Sequence, residues 1–284
     1  MIAYYNGGYQ PKDAVRISPD DRGFLLGDGV YEVTRTYQGR LFALERHLAR
    51  LSHSLHEMRI GGLRVEDVGE ISRQLLTRNG LEQGHALVYF QVTRGAAPRT
   101  HGFPPGSVPP TVYGYAAPIV ARVDAAVGVA AVTVPDTRWA RCDIKSTSLV
   151  ANCLANQRAQ DAGAFEALFV RDGVALEGTH TSLFAVLNGE VRTVPLTNYV
   201  LPGITRAIVL ELARAAGLAT REAPLFLDAL RSAEEVFLAG TTAEVLPVVR
   251  IDGQPVASGT PGPVTRRLRE LFLAETTKPT LREV

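Results

Sequence analysis

The chain has 284 residues, 46% hydrophobic and 21% charged, an ordinary globular composition with room for one large or two medium domains. Thirty basic against 29 acidic side chains give a net charge of +1, and no basic block occurs. This balance disfavours nucleic acid or an anionic membrane surface as a partner. No apolar run reaches the length that crosses a bilayer, so we expect no membrane-spanning segment.

The two cysteines, Cys142 and Cys153, are too few for a disulfide framework and lack the histidine spacing of a zinc site. We therefore expect two core or partly buried thiols and no bound metal. Since no signal peptide precedes them, the sequence favours a reducing cytoplasm as the location.

The first third of the chain predicts hairpins and helices. Asn6-Gly7-Gly8 is typical of the turn of one hairpin, and Gln38-Gly39 of the turn of a second. Leucines and a methionine at spacings of three, four and seven predict a helix over residues 45–58, which Gly61-Gly62 should end. A second helix follows over residues 65–80.

Residues 85–95 predict a strand too apolar to have a solvated face, and therefore a central one. The proline-rich segment 96–110 predicts a loop, and residues 110–118 another strand. The pattern then weakens, so we expect an interdomain linker at 119–128.

Strands and helices continue to mix beyond this linker. The strand candidates are 128–134, 166–170, 182–189, 190–194 and 235–240, and the helix candidates are 149–163, 204–217, 227–233 and 263–275. The sequence therefore predicts an α/β (α+β) chain with a smaller domain at 1–118 and a larger one at 129–284. Ligand sites commonly lie in the cleft between such domains.

Lys145 lies in "RWARCDIKSTSL", a segment that otherwise reads as folded and partly apolar. A buried ammonium is unfavourable unless it is paired, neutralised or used in chemistry. The alternative is that Lys145 keeps its amine in water and buries only its stem.

Four other stretches have groups suited to a charged ligand. Glu177 in "ALEGTHTSLF" could face a buried cation or be part of a solvated turn. Ile204-Thr205 open a helix and Thr241 follows a strand, so each could bind an anion or simply belong to a capped helix. In "TRGAAPRTHGFPP", Arg99 and His101 would point the same way in an extended backbone and could clamp a carboxylate, unless the loop is merely mobile and basic.

Together these groups are the parts of a pyridoxal-phosphate site. A lysine amine captures the cofactor aldehyde, a carboxylate keeps the pyridine nitrogen protonated, helix-start amides bind the phosphate, and a separate clamp binds the substrate carboxylate.

The motifs "DRGFLLGDGVYE", "RWARCDIKS", "LEGT", "LPGITR" and "AGTTAE" occur in this order. They resemble the fold-type IV pyridoxal-phosphate enzymes, which include branched-chain aminotransferases, D-amino-acid aminotransferases and aminodeoxychorismate lyases. The resemblance extends from Tyr5 to about Phe272 and implies a two-domain fold with the cofactor in the interdomain cleft. Within the family, "VYFQVTRGAAPRTHGFP" resembles the D-amino-acid aminotransferase signature.

The resemblance implies a role for each matching residue. Lys145 is expected to be the Schiff-base lysine and general acid/base, and Glu177 the partner of the pyridine nitrogen. The phosphate is expected to contact Arg50, Ile204, Thr205 and Thr241. The substrate α-carboxylate is expected to contact Tyr31, Arg99 and His101, with the Arg99–His101 loop reaching in from the neighbouring subunit of a homodimer.

The resemblance also implies the reaction: a ping-pong transfer of an amino group from a D-amino acid, such as D-alanine, to a 2-oxo acid, such as 2-oxoglutarate. His180 departs from the small hydroxyl residues of the bacterial D-amino-acid enzymes and is a further candidate on the substrate side, unless it points to solvent. The alternatives are an L-branched-chain aminotransferase, an aminodeoxychorismate lyase, or a non-catalytic small-molecule binding protein on the same scaffold.

Overall fold

The computed structural model describes residues 1–106, 108–119 and 123–278. The described residues within Met1–Val120 and Ile144–Leu149 form one compact unit, and those within Ala121–Asp143 and Val150–Val284 form a second. The predicted mixed α/β organisation is confirmed. The predicted linker at 119–128 includes residues 120–122, which lie outside the described residues, so the boundaries 1–118, 119–128 and 129–284 stay predictions.

The first unit is an antiparallel sheet with helices packed on it. Its strands are β1 (Ile2–Tyr5), β2 (Gly8–Pro11), β3 (Gly29–Tyr37), β4 (Arg40–Leu41), β5 (Ala86–Thr93) and β6 (Thr111–Pro118), and its helices are α1 (Arg22–Leu26), α2 (Leu44–Glu57) and α3 (Asp67–Arg78). The strand order is β2-β1-β6-β5-β3-β4. Both α2 and α3 contact this sheet.

The two predicted hairpin turns are confirmed. Asn6 and Gly7 have φ values of 43° and 93°, and Gln38 and Gly39 have values of 52° and 76°. Two residues with positive φ make the tight turn that matches the twist of the flanking strands. Gly39 has a second reason to be glycine, because a Cβ there would lie 1.8 Å from the carbonyl oxygen of Glu82.

Helix α2 has the apolar face that its leucine spacing predicts, with Leu51 and Leu55 buried in the core of the first unit. The predicted end at Gly61-Gly62 is wrong. The helix ends at Glu57, and Arg59 takes a left-handed φ of 52° before either glycine is reached.

Strand β5 is central, as predicted, between β6 and β3. The expectation that it has no accessible face is wrong in this chain. Val88 and Phe90 are buried, whereas Tyr89 and Gln91 on the opposite face are only partly buried. A tyrosine and a glutamine can occupy such a face because each has a polar end as well as apolar atoms.

The second unit is a larger mixed sheet with four helices. Its strands are β7 (Val129–Pro135), β8 (Glu166–Arg171), β9 (Val174–Gly178), β10 (Ser182–Leu187), β11 (Glu190–Thr193), β12 (Thr220–Glu222), β13 (Glu235–Gly240), β14 (Glu244–Ile251) and β15 (Gln254–Pro255), and its helices are α4 (Val150–Asp161), α5 (Ile204–Ala215), α6 (Leu227–Arg231) and α7 (Pro263–Thr277). The main strand order is β12-β11-β10-β13-β14-β7-β8-β9. Helices α5 and α7 contact β13, and α4 contacts β7 and β8.

Strand β9 also pairs with β10, through Glu177 opposite Ser182. The pairings β10-β13-β14-β7-β8-β9 therefore close into a ring, and Glu177 lies where the ring closes. The sequence had suggested only a polar turn for this segment, so β9 is a strand that the pattern missed.

Two expectations from composition can be compared with the structure. Cys142 is buried, as expected, but Cys153 is exposed, because it lies on the outward side of α4. Among the described residues, none of the helices has the length and apolar character that crossing a membrane requires. In the same part of the chain, no group of three or more His, Cys, Asp or Glu side chains could hold a metal ion.

Candidate active site

The lysine singled out in the sequence belongs to the first unit and has a fixed backbone. The Lys145 amide donates to Ser54 Oγ at 3.2 Å, and its carbonyl accepts from the Tyr31 amide at 3.0 Å. The Thr147 amide donates to the Gly29 carbonyl at 2.9 Å, which ties the segment to the start of β3 a second time. Lys145 is therefore held against the strand that also carries Tyr31.

The Lys145 side chain is half-buried, and its amine does not simply extend into water. Its Nζ lies 4.3 Å from the centre of the Tyr31 ring. An ammonium over an aromatic face is attracted to the ring electrons, and this attraction orients the side chain without consuming the charge.

Tyr31 begins a row of tyrosine rings on one face of the sheet. The ring centres of Tyr31 and Tyr89 are 5.7 Å apart, those of Tyr89 and Tyr115 are 5.3 Å apart, and Lys12 Nζ lies 4.1 Å from the centre of the Tyr115 ring. Burial first, and then the neighbouring tyrosines, raise the pKa of Tyr89, so its hydroxyl stays protonated. The row gives Lys145 a neutral aromatic surface, which the apolar sequence of β5 concealed.

Arg50 is buried in the first unit and paired with a carboxylate that the sequence did not single out. Its Nε donates to Glu32 Oε2 at 2.9 Å and its Nη2 to Glu32 Oε1 at 2.6 Å. The Nδ1 atom of His47 lies 3.0 Å from the same Oε1. This two-point pairing fixes the plane of the Arg50 guanidinium.

Burial, the largest influence, would raise the pKa of Glu32, but Arg50 and His47 outweigh it and hold this pKa well below its ordinary value. Burial also dominates at His47, and it lowers the pKa of the imidazole despite the attraction of Glu32. The folded protein thus holds Glu32 ionised and His47 neutral.

We expect the free energy of unfolding to fall as the pH is lowered from about 7.5 to about 5.5, because the unfolded chain then binds a proton at His47 that the folded chain resists. A lowered folded pKa gives stability that is present above the unfolded pKa and is lost on acidification. Denaturant unfolding at the two pH values measures this. His47→Gln should reduce the pH dependence, whereas His56→Gln, at an exposed position of the same helix, should not. An equal pH dependence in His47→Gln and the unmodified chain would contradict the assignment.

Arg99 and His101 lie on the loop that follows β5, and both are exposed. Among the described residues, neither side chain has a hydrogen bond or ion pair, and neither joins the cluster around Lys145. Residue 107 of the predicted 96–110 loop lies outside the described residues; the rest has no helix or strand, as predicted.

In the second unit, Glu177 is buried at the end of β9 and has a cationic partner that the sequence did not single out. Arg138 Nη1 donates to Glu177 Oε1 at 2.5 Å, and the Leu201 amide approaches Oε2 at 3.2 Å. Arg138 is itself held by Asp136, whose Oδ1 accepts from its Nε at 2.9 Å. Glu177 is therefore an oriented carboxylate beside a fixed guanidinium.

The two predicted anion sites also lie in the second unit. Helix α5 begins after Gly203 without a side-chain cap, so the first amides of Ile204 and Thr205 are not satisfied by one. A Cβ on Gly203 would lie 2.6 Å from Ser182 Oγ, so the close approach there requires glycine. Thr241 follows β13 directly and is partly buried.

His180 has a partly exposed ring that is anchored at one nitrogen. Its Nδ1 lies 3.0 Å from Oε2 of Glu166, and 44% of its side chain is exposed. Glu166 is fully buried and also accepts hydrogen bonds from the hydroxyls of Thr179 at 2.5 Å and Thr181 at 2.9 Å. The alternative that His180 simply points to solvent is therefore wrong, because a buried carboxylate orients its ring.

Comparisons with known proteins agree with these two groups of residues. The sequence matches the family amino-transferase class IV over residues 29–251. It is 41% identical to the D-alanine aminotransferase of Bacillus licheniformis, over 98% of this chain and 99% of that protein. It is 39% identical to the D-alanine aminotransferase of Staphylococcus aureus (strain MSSA476), over 95% of both.

Solved structures of branched-chain amino acid aminotransferases have a similar fold. The T.th. enzyme complexed with N-(5'-phosphopyridoxyl)-L-glutamate has a TM-score of 0.88 at 29% identity, covering 97% of this chain and 94% of that one. The Escherichia coli enzyme has a TM-score of 0.88 at 27% identity, covering 96% and 93%.

Proposed function

Because the chain belongs to the class IV aminotransferase family, we propose that it is a D-amino-acid aminotransferase. It transfers the amino group of a D-amino acid, such as D-alanine, reversibly to a 2-oxo acid, such as 2-oxoglutarate. The observation that carries the proposal is Lys145, whose backbone is held on both sides and whose Nζ lies 4.3 Å from the Tyr31 ring centre. The preference for D-amino acids is supported by the higher identity to relatives named D-alanine aminotransferase than to the solved branched-chain enzymes.

The residues fit pyridoxal phosphate, the cofactor of this family. A lysine amine, a buried carboxylate and a helix start without a side-chain cap are the groups that the aldehyde, the ring nitrogen and the phosphate require. We assign these roles to Lys145, to Glu177, and to Ile204 with Thr205. Thr241 and the oriented guanidinium of Arg50 complete the proposed phosphate contacts.

When bound, pyridoxal phosphate supplies an aldehyde that reacts with amines and a ring that accepts electrons from a substrate Cα while its nitrogen is protonated. Lys145 Nζ takes the proton from the substrate Cα and later gives a proton back, as a general base and then a general acid. Glu177 remains ionised and faces the ring nitrogen. Its pairing with Arg138 fixes the direction of the carboxylate.

We assign the substrate α-carboxylate to Arg99, His101 and Tyr31, since a guanidinium matches a carboxylate in two-point geometry. His180 is assigned to the substrate side, with its ring oriented by Glu166. The active form is proposed to be a cytoplasmic homodimer in which each Arg99–His101 loop serves the neighbouring subunit.

The test is a product analysis with 2-oxoglutarate and either D-alanine or L-leucine as amino donor. The proposal predicts D-glutamate and pyruvate from D-alanine and little product from L-leucine. Product from L-leucine alone would favour the second candidate, an L-branched-chain aminotransferase, which the two solved structures keep in view.

Glu177→Gln is expected to lower kcat by about 100-fold, because a neutral amide does not keep the ring nitrogen protonated. Cofactor should remain bound, since Lys145 and the phosphate contacts are unchanged. Stopped-flow half-reactions with D-alanine measure this rate. Glu190→Gln removes a carboxylate that pairs with Arg192 elsewhere in the same unit and serves as the control. Equal rates for the two variants would contradict the role of Glu177.

A further inference from the structure

A buried cluster of two arginines and one aspartate lies beside the loop that carries Arg99 and His101. Arg22, Asp28 and Arg94 are only 2%, 7% and 7% exposed. Asp28 Oδ2 accepts from Arg22 Nε at 2.8 Å and from Arg94 Nε at 2.7 Å, and its Oδ1 accepts from Arg94 Nη2 at 2.9 Å. One carboxylate thus orients both guanidinium groups.

Arg22 connects this cluster to the loop. Its Nη1 donates to the carbonyl oxygen of Thr100 at 2.7 Å. Thr100 stands between Arg99 and His101, so this bond holds the backbone from which both side chains project. The loop is tied nearby as well, because the Arg22 amide donates to the Gly95 carbonyl at 3.0 Å.

Arg94 holds the loop at a second place. Its guanidinium carbon lies 3.6 Å from the centre of the Phe103 ring. Its Nη1 and Nη2 also donate to the carbonyls of Arg59 at 2.8 Å and Met58 at 2.6 Å, just beyond α2. The loop is therefore attached to the folded unit at Thr100 and at Phe103, on either side of His101.

The cluster explains the glycine-rich stretch "DRGFLLGDGVYE". The Asp21 side chain caps α1 by accepting from the Gly23 amide at 2.8 Å, and Gly27 ends α1 with a left-handed φ of 67°. A Cβ on Gly23 would lie 2.2 Å from Thr93 Cγ2, so this short helix can approach β5 only with glycine there. The turn brings Arg22 and Asp28 together at the base of the loop.

We propose that Arg22 and Asp28 are positioning residues for substrate carboxylate binding: Asp28 orients Arg22, and Arg22 fixes the Thr100 carbonyl and thereby the directions of Arg99 and His101. The inference rests on the proposed function of Arg99 and His101. A buried ion cluster is a poor source of stability but can specify one conformation, which is what a two-residue clamp needs.

Arg22→Met tests the inference, because methionine fills similar space but donates no hydrogen bond. We expect the KM for D-alanine to rise by about tenfold, the effect of losing one charged hydrogen bond, while kcat changes by less than about twofold. The inhibition constant of propionate, which has the carboxylate but no amino group, should rise in parallel. The cofactor absorbance should not change.

Arg266→Met is the matched control, because Arg266 Nη1 donates to the Pro261 carbonyl at 2.6 Å in the second unit. It should leave both constants unchanged. If Arg22→Met does not fold, Arg22→Lys is measured instead. It keeps a cation beside Asp28 but lacks the planar fork, and a rise of about threefold in KM is expected.

The outcomes separate this inference from the proposed function. If the unmodified protein does not turn over D-alanine, both fail. If Arg99→Ala raises the KM but the Arg22 variant does not, the positioning role fails alone. A fall in kcat with an unchanged KM and an unchanged propionate constant would also overturn it, because that pattern indicates a general structural defect.

Discussion

Lys145→Ala is expected to reduce D-alanine turnover by about 10⁴-fold or more, because it removes both the amine that captures the cofactor and the base that takes the Cα proton. Steady-state kinetics with D-alanine and 2-oxoglutarate measure the loss. The variant should also lose the visible absorbance of the lysine-linked cofactor.

Lys12→Ala is the matched control for this experiment. Lys12 and Lys145 each place an ammonium near a ring of the same tyrosine row, at 4.1 Å from the Tyr115 centre and 4.3 Å from the Tyr31 centre. Lys12→Ala removes a comparable cation–π contact, worth about 1 kcal/mol or less at an exposed site, and should leave turnover nearly unchanged. Retained turnover in Lys145→Ala would contradict the mechanism.

Arg99→Ala is expected to lower kcat/KM for D-alanine by about 100-fold or more, because truncating one partner of a close charge pair costs about 2–5 kcal/mol. Arg99 is exposed and has no hydrogen bond or ion pair among the described residues, so the fold should be unaffected. Cofactor should stay bound. Arg64→Ala, at an arginine whose side chain is 80% exposed in the same unit, is the control.

The same variant tests whether the loop acts across a dimer. Differently tagged Lys145→Ala and Arg99→Ala subunits are coexpressed, and the mixed dimers are purified through both tags. If each loop serves the neighbouring subunit, one of the two sites in a mixed dimer has both Lys145 and Arg99, and about half of the normal activity returns. If each loop serves its own subunit, no mixed dimer has a complete site and activity stays absent.

Local sequence patterns predicted the elements whose reasons are local. Hairpin turns depend on glycines with positive φ, and α2 depends on leucine spacing. Strand β14 escaped prediction because Pro247 lies within it, and proline normally argues against a central strand. The structure accommodates Pro247 because the pairing of β14 with β7 begins only at Val248.

The candidate site was predicted where one residue suffices and missed where a pair is needed. Arg138 and Glu177 are 39 positions apart, and Arg50 and Glu32 are 18 apart, so no local pattern indicates either pairing. Nor does a local pattern indicate that Ile144–Leu149 packs with the first unit, beside β3. Such contacts depend on tertiary structure and become visible only when the chain is folded.

The visible absorbance spectrum of the purified protein, recorded before and after addition of D-alanine or of L-leucine, tests the central claim most directly. The proposal predicts a yellow protein whose absorbance is bleached by D-alanine and hardly changed by L-leucine. Bleaching by L-leucine alone would contradict the assignment of Arg99 and His101 to a D-amino-acid carboxylate. A protein that stays colourless with added pyridoxal phosphate would contradict the role of Lys145.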